Sequence, residues 1–546
     1  MLSRFRGGLG RLDRWVERHL DWLAVAVLVA GFVFRWQMAT APYFELDEAY
    51  HVRLSVPWFP KLWDTAHEPT HPPLLIFLLH YVWYFGQSEL AFRMIPLVAG
   101  VALPWFFYKW LELAWSRAAG FVALVMLALA PALTLLSAVV RAYTLGLLLA
   151  GMALYFLERA IRERSARWMA AFTLALWLGI EAENTTAFFC VAAGVYFLAR
   201  IREVWDRRAV VAIWVVSQLG ALGLYVHFVF RQVLRLRAAY LPDANNPNSF
   251  LGPFFPQDGE NRLDFALRAV FGTFELTYDS KVAATVGVVL FAAGIVAVWL
   301  AVKRPLPVRV AMCGFLIAPL AVSLAGAFTK TYPLGDSRQS IHMAVFFAVA
   351  AGIALAWVFR QRALPVALAV LWAAPFWYGE AELKPHRWKT YRPREDMTAL
   401  LAYLRENVPP GSRLLVEGFF AIPLEHYLMA RHYPPRHHDG EVHIGGYRFY
   451  RTTPVEWQSF AEAWRLVAEW REKNEFEVGE TIWVIDGGFY CNLGAALDRE
   501  PELARQAPNA RRFGRSILVF EAPAGFDPRA EPPAAEPVGR PVSPDG

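Results

Sequence analysis

The sequence predicts a polytopic α-helical membrane protein of about eleven transmembrane helices, carrying an α/β domain of ordinary water-soluble composition at its C-terminal end. Three observations carry this. Apolar residues make up 56% of the 546 residues and charged residues only 19%, against roughly 25% charged in a typical soluble chain. Between residues 21 and 379 the apolar residues come in long runs, each near the roughly 20 residues that cross a bilayer. Beyond residue 384 the runs stop, and helix-like and strand-like patterns alternate. This composition excludes a disordered chain, a disulfide scaffold and a collagen-like fibre. The three cysteines, Cys190, Cys313 and Cys491, are scattered and imply no disulfide framework.

Residues 1–20 are basic (Arg4, Arg6, Arg11, Arg14, Arg18) and lead into an apolar run without a small-residue cleavage site, which reads as an uncleaved anchor with a cytoplasmic N-terminus. Residues 21–384 form the membrane domain. A short apolar run at 72–85 is ambiguous, and the basic loops resolve it. With that run left out as a span, Lys109 and Arg117, Arg159 to Arg167, Arg200 to Arg208, Lys303 to Arg309, and Arg360 with Arg362 all face the cytoplasm. Counting it as a span sends every cluster outside, against the positive-inside bias. Residues 72–85 are therefore expected to lie on, or dip into, the external face. The net charge of +6 follows from these loops and calls for no nucleic-acid partner.

An odd number of spans leaves three segments outside the cytoplasm. They are a first loop at 41–93, a long loop at 230–281 that is rich in Pro and Asn, and the region 385–522. In the last, a helix at 397–407, a strand at 413–417, a helix at 455–473 and strands at 481–485 and 516–521 predict an α/β domain with a parallel or mixed sheet. Residues 523–546 are rich in Pro and Ala and are expected to be disordered.

The chemistry-bearing motifs lie in the first loop. Phe44-Glu45-Leu46-Asp47-Glu48-Ala49-Tyr50 follows the first span, and adjacent carboxylates at a membrane surface are costly unless paired or solvated. Glu68-Pro69-Thr70-His71-Pro72-Pro73-Leu74 comes next, then Gly86 to Arg93 opening the second span, then Arg141-Ala142-Tyr143 after the third. Over 40–160 this ordered set resembles the GT-C glycosyltransferases, in particular the protein O-mannosyltransferase and aminoarabinose (lipid A) transferase relatives. The resemblance implies a bundle with catalysis at its external face and a donor sugar linked to a polyprenyl phosphate. It implies Asp47 as the catalytic or metal-associated acid with Glu48 as its partner, His71 beside the donor phosphate, and a functional Arg93. Some relatives carry an acid after the third span, where this chain has Arg141, Tyr143 and Thr144, a departure that bears on metal use and donor sugar. A divalent metal ion is a candidate cofactor, with Asp47, Glu48 and Glu68 as candidate ligands.

The residues suit that chemistry on their own terms. Sugar transfer from a polyprenyl monophosphate needs a base for the acceptor proton, a task for a carboxylate such as Asp47. It also needs cations for the departing phosphate, for which His71, Arg93, Arg141 and Arg338 are candidates, with Tyr143 alongside. The topology sends all of them to the external face. The acceptor is a hydroxyl or phosphate on a lipid, glycan or protein, and the expected location is the cell inner (plasma) membrane. Plainer readings compete. Arg141 and Arg338 can snorkel to lipid phosphates, Glu181 and Glu183 sit in a short turn where solvent accounts for them, and the histidines between Arg431 and His443 read as solvated loop residues. The rival function is a secondary transporter or lipid flippase, which places ionisable groups near the midplane and needs no external α/β domain.

Overall fold

The computed structural model describes residues 2–56, 61–63, 66, 72–234, 252–359, 363–373, 393–429, 436–438, 441–451, 459–473, 480–488, 493–499, 507–514 and 516–523. They fall into two compact units, one of Met1–Thr40 and Phe59–Lys389, the other of Ala41–Trp58 and Thr390–Gly546. Glu68, His71, Arg431 to Tyr433, residues 235–251 of the long loop and the tail beyond residue 523 lie outside the described residues.

In chain order the helices are α1 (Leu2–Thr40), α2 (Leu46–Leu54), α3 (Leu74–Val82), α4 (Glu89–Ala114), α5 (Arg117–Ala128), α6 (Pro131–Ser137), α7 (Tyr143–Glu163), α8 (Ala166–Ala182), α9 (Thr186–Arg200) and α10 (Arg208–Phe228). They continue with α11 (Arg262–Tyr278), α12 (Lys281–Leu300), α13 (Leu306–Phe328), α14 (Met343–Val358), α15 (Ala363–Ala373), α16 (Arg394–Asn407), α17 (Gly418–Leu428), α18 (Phe460–Lys473) and α19 (Leu493–Arg499). Except for α2, those up to α15 belong to the first unit.

Among the described residues seven helices are long and apolar enough to cross a membrane, and an eighth span results if α5 and α6, bent by 62°, count as one. The remaining expected spans coincide with α8, α9 and α15, which run for 17, 15 and 11 described residues. The nine residues of α3 rise roughly 14 Å, far short of a hydrocarbon core, in keeping with an interfacial helix. Side-chain caps start the spans where polar residues interrupt the apolar runs. Ser88, Ser116 and Ser280 accept from the backbone N–H three residues on, satisfying donors that a helix start leaves free.

The interior of this unit is packed backbone to backbone through small residues. Every residue from Met343 to Ala354 in α14 is buried. A Cβ on Gly294 would lie 2.3 Å from the Ala350 carbonyl oxygen, and one on Gly352 would lie 2.4 Å from that of Ala119, so α12, α14 and α5 can approach only as they are. By contrast α10 and α12 leave Leu222, Val282 and Val289 exposed, as lipid-facing helices do.

The two ends of the bundle differ chemically. At one end Asp21 accepts from Tyr108 Oη at 2.7 Å and from Lys109 at 3.2 Å, and also pairs with Arg117. Glu158, fully buried, accepts from Tyr196 Oη at 2.7 Å and from Arg162 at 2.6 Å, and pairs with Arg200. These are the arginine-rich loops read above as cytoplasmic. At the opposite end of α1, Arg35 is buried and holds the bend between α5 and α6. Its Nη1 donates to the carbonyls of Gly31 at 3.0 Å and Ala128 at 2.5 Å, and its Nε donates to Ser137 Oγ at 3.1 Å. A break in a membrane helix strands carbonyls, and the guanidinium supplies their missing donors.

The second unit is built on a seven-stranded sheet of β1 (Arg413–Val416), β2 (Arg436–His438), β3 (Glu441–Ile444), β4 (Tyr447–Arg451), β5 (Ile482–Asp486), β6 (Arg511–Phe513) and β7 (Ile517–Ala522). The order is β2-β3-β4-β1-β5-β7-β6, with β1 parallel to β4 and β5 and the other pairs antiparallel. The mixed sheet agrees with the sequence reading, which located β1, β5 and β7 but not the four others. Residues 41–58 join this unit. Pro42 bridges to Pro393, the Arg394 amide donates to the Ala41 carbonyl at 3.2 Å, and Tyr43 is buried in one core with Met397, Leu400 and Phe420.

Candidate active site

Asp47 and Glu48 open α2, which begins with a capping box. The Glu45 amide donates to Glu48 Oε2 at 3.1 Å, and the Glu45 side chain accepts from the Glu48 amide. Glu48 is 1% exposed, whereas Asp47 is only partly buried. The acids sit in the first turn and His51 and Arg53 in the last, the arrangement that the helix dipole favours. His51 Nδ1 lies 2.6 Å from the Asp47 carbonyl oxygen. The capping box gives the two carboxylates different situations. Glu48 is engaged with its own helix start, and Asp47 is the more open acid of the pair.

The flank of α2 is gripped by α17. Arg53 Nη1 donates to Glu425 Oε2 at 2.8 Å, and the Phe44 amide donates to the Tyr427 hydroxyl at 2.8 Å. The Phe44 and His426 rings meet edge to face, 4.9 Å apart. Burial pushes the His426 imidazole down to about 4, although the charge of Glu48 acts in the other direction. The imidazole is therefore neutral at pH 7. Above pH 6.5 it is neutral in both folded and unfolded chains. As pH falls from 6.5 towards 4 the unfolded chain takes up a proton that the folded one refuses, so stability is lost in that window. The expected loss is of order 2–3 kcal/mol relative to His426→Gln, read as the difference in urea midpoint between the two purified proteins at pH 7.5 and pH 4.5. Equal losses in both proteins would exclude His426 as the group responsible.

In the first unit, Arg93 is fully buried on α4 and its Nη1 donates to the Ala39 carbonyl at 2.7 Å. One turn along, the Pro96 carbonyl accepts from Thr144 Oγ1 at 2.9 Å, which ties the start of α7 to α4. Arg141 precedes α7, buried, with its guanidinium carbon 5.5 Å from the Tyr143 ring centre and Nη2 3.4 Å from the Tyr143 hydroxyl. Arg338 begins the short turn Arg338–His342 ahead of α14.

Arg141 and Arg338, nearly 200 positions apart in the chain, act on one buried carboxyl, that of Glu183 in the turn between α8 and α9. The expectation of a solvated turn acid fails, since Glu183 is 3% exposed. Its Cβ packs where Gly146 of α7 leaves room, because a Cβ on that glycine would approach it to 2.6 Å. Burial pushes the Glu183 carboxyl up to about 7, against the pull of Arg141, the Thr185 and Asn184 amides and Arg338. Tyr332 also senses Glu183 and Tyr143, and its hydroxyl donates to the Gln339 carbonyl at 3.2 Å. The loop carrying Tyr332 and Arg338 is anchored on α9 by Phe188, which stacks on His342 at 4.2 Å. Beside it runs a groove of about 810 Å³ between α11 and α12, lined mainly by apolar side chains such as Leu267, Val288 and Val289 and ending at Gly335 and Asp336.

The structure thus brings Arg141 and Arg338 within electrostatic reach of Glu183, with Tyr143 beside Arg141, while Asp47 and Glu48 belong to the other unit. Sequence reasoning passed over Tyr332 and the α17 residues. Tyr332 offered a signal in its nearness to Arg338, but Glu425, His426 and Tyr427 offered none. Among the described residues no group of three His, Cys, Asp or Glu side chains is placed to hold a metal ion.

Residues 70–228 match the family of dolichyl-phosphate-mannose-protein mannosyltransferases. No curated protein matches the chain. Among solved structures, ArnT from Cupriavidus metallidurans in the apo state superposes with a TM-score of 0.50 at 13% identity, covering 92% of this chain and 98% of that one. The same protein bound to undecaprenyl phosphate gives 0.49 at 13% identity, with the same coverage of 92% and 98%. The Archaeoglobus fulgidus oligosaccharyltransferase tethered with an acceptor peptide gives 0.49 at 14% identity, covering 76% of this chain. This chain spans 63% of the length of that oligosaccharyltransferase. The apo ArnT superposition shows that the two chains share a fold.

Proposed function

We propose that this protein is a glycosyltransferase that moves a sugar from a polyprenyl-phosphate donor to an acceptor hydroxyl or phosphate at the extracytoplasmic face of the inner membrane. The observation that carries the reading is that Arg141 and Arg338, from distant parts of the chain, both act on the buried carboxyl of Glu183, with Tyr143 beside Arg141. A phosphate dianion is matched by arginine forks. The apolar groove beside Asp336 suits a prenyl chain. The matched family and the fold support the donor class.

In this reading Asp47 takes the proton of the acceptor hydroxyl as its oxygen attacks the anomeric carbon. The bond from that carbon to the phosphate oxygen breaks, and the polyprenyl phosphate leaves with the electron pair. Arg141 and Arg338, with His71, stabilise the charge on the departing phosphate. One displacement suffices and inverts the anomeric centre. Glu48 keeps the start of α2 in place. The reaction class is tested with the purified chain and undecaprenyl phosphate carrying mannose or aminoarabinose, by following release of undecaprenyl phosphate. Release that requires both the protein and an added acceptor is expected, and none with either donor would count against the donor class.

The sidedness belongs to the same proposal. A cysteine at Ala468, exposed on α18, is expected to react with a membrane-impermeant maleimide in intact cells, and one at Arg164, after α7, only after lysis. Labelling at Arg164 in intact cells would reverse the orientation.

A further inference from the structure

We propose that three consecutive residues of α17, Glu425, His426 and Tyr427, are positioning residues that fix where Asp47 presents its carboxylate, an inference that rests on Asp47 being the base. The argument begins with α2 itself. Nine residues are too few for a helix to hold its own shape in water, so its orientation is set by what it packs on. It packs on α17, and the attachments bracket Asp47. Three residues before it, the Phe44 amide donates to the Tyr427 hydroxyl at 2.8 Å and the Phe44 ring rests against the His426 ring. Six residues after it, Arg53 pairs with Glu425, whose carboxylate is 1% exposed and so is committed to that pairing geometry.

Both tethers are directional. A tyrosine hydroxyl reading a backbone amide fixes the chain just ahead of the capping box, and a buried carboxylate on a guanidinium fixes the far end of the same short helix. Neighbouring packing supports the first tether, since the Tyr43 ring meets those of Phe420 and Tyr427 edge to face. The sheet supplies the rigid base. Glu417, which precedes α17, accepts from the Gly487 amide at the end of β5 at 2.8 Å, so α17 is pinned to the sheet. A chain of fixed contacts therefore runs from the sheet through α17 to the residues on either side of Asp47. The C-terminal domain thereby acts on Asp47 through position.

The test uses the full-length protein with undecaprenyl-phosphate mannose and aminoarabinose as probes. Tyr427→Phe keeps the ring and removes only the hydroxyl, and Arg53→Met keeps the stem and removes the charge. Each is expected to lower kcat per folded molecule roughly tenfold, towards a hundredfold in the double variant, with donor KM within about twofold; Tyr427→Phe leaves the unfolding temperature unchanged, whereas Arg53→Met, which takes the guanidinium from buried Glu425, lowers it. Arg53→Lys is expected to restore most of the loss. A merely structural role would lower the folded fraction and leave kcat per folded molecule unchanged. Hydrogen exchange supplies a readout that needs no donor. The amides of Phe44 to Leu54 are expected to exchange faster in Tyr427→Phe, with β1 and β5 unaffected. Wild-type kcat in both variants, or unaltered exchange across Phe44 to Leu54, would overturn the proposal. Activity retained in Asp47→Asn would instead overturn the reading of the base, so the two failures are distinct.

Discussion

Asp47→Asn is expected to lower sugar transfer by about 10²- to 10⁴-fold, the range that general base catalysis contributes, while the protein still folds and binds donor. The substitution keeps size and hydrogen bonding and removes the proton acceptor. Its position makes it a clean change. Asp47 stands in the first turn of α2 but outside the capping box, which uses Glu45 and Glu48. Glu48→Gln is expected to act differently, by loosening the start of the helix, and to cost less. Initial rates on purified variants with matched folded fractions decide the point. Wild-type turnover by Asp47→Asn would remove it as the base and move attention to Glu48.

Arg141→Ala is expected to weaken binding of polyprenyl phosphate by roughly ten- to a hundredfold, since a charge-assisted contact contributes about 1.5–3 kcal/mol. The effect has two sources. One guanidinium is lost to the ligand. In addition, the buried Glu183 carboxyl loses the cation that does most to lower its pKa, and rises further above about 7. Arg141→Lys keeps a charge without the fork and is expected to fall between the two. Arg338→Ala removes the smaller influence on Glu183, from a partly exposed side chain, and is expected to weaken binding less. Competition of unlabelled undecaprenyl phosphate against a fluorescent analogue measures all three. An unchanged dissociation constant in Arg141→Ala would detach this cluster from the donor.

Much of the fold was legible because hydropathy is a local property. Runs of about 20 apolar residues mark α4, α7 and α10 without reference to anything else in the chain, and the shortness of α3 is visible in the letters. The mixed sheet was legible only in part. Strands β1, β5 and β7 are apolar and buried and read as strands, whereas β2, β3 and β4 are dense in Arg, His and Tyr and carry no continuous apolar signal. In the candidate site the adjacent acids of α2 and the arginines at 141 and 338 were legible from residue type and topology. The burial of Glu183 was not. A turn between two spans reads as wet, and only the packing against Gly146 shows that it is dry. The pairing of Arg53 with Glu425 joins residues 372 positions apart, and no local pattern announces it.

Arg35 bears on how the protein can move. Bent helices are where membrane bundles often flex, and α5 and α6 meet at 62°. Here the elbow is splinted. Straightening it would pull the guanidinium away from Ala128 and Ser137 and leave a permanent charge facing hydrocarbon. A Cβ on Gly100 would already collide with Ser137 Oγ at 1.9 Å, so the surrounding helices leave no slack. The corner that precedes Arg141 therefore behaves as a buttress and not a hinge. Motion at this corner is left to side chains, against a stationary backbone.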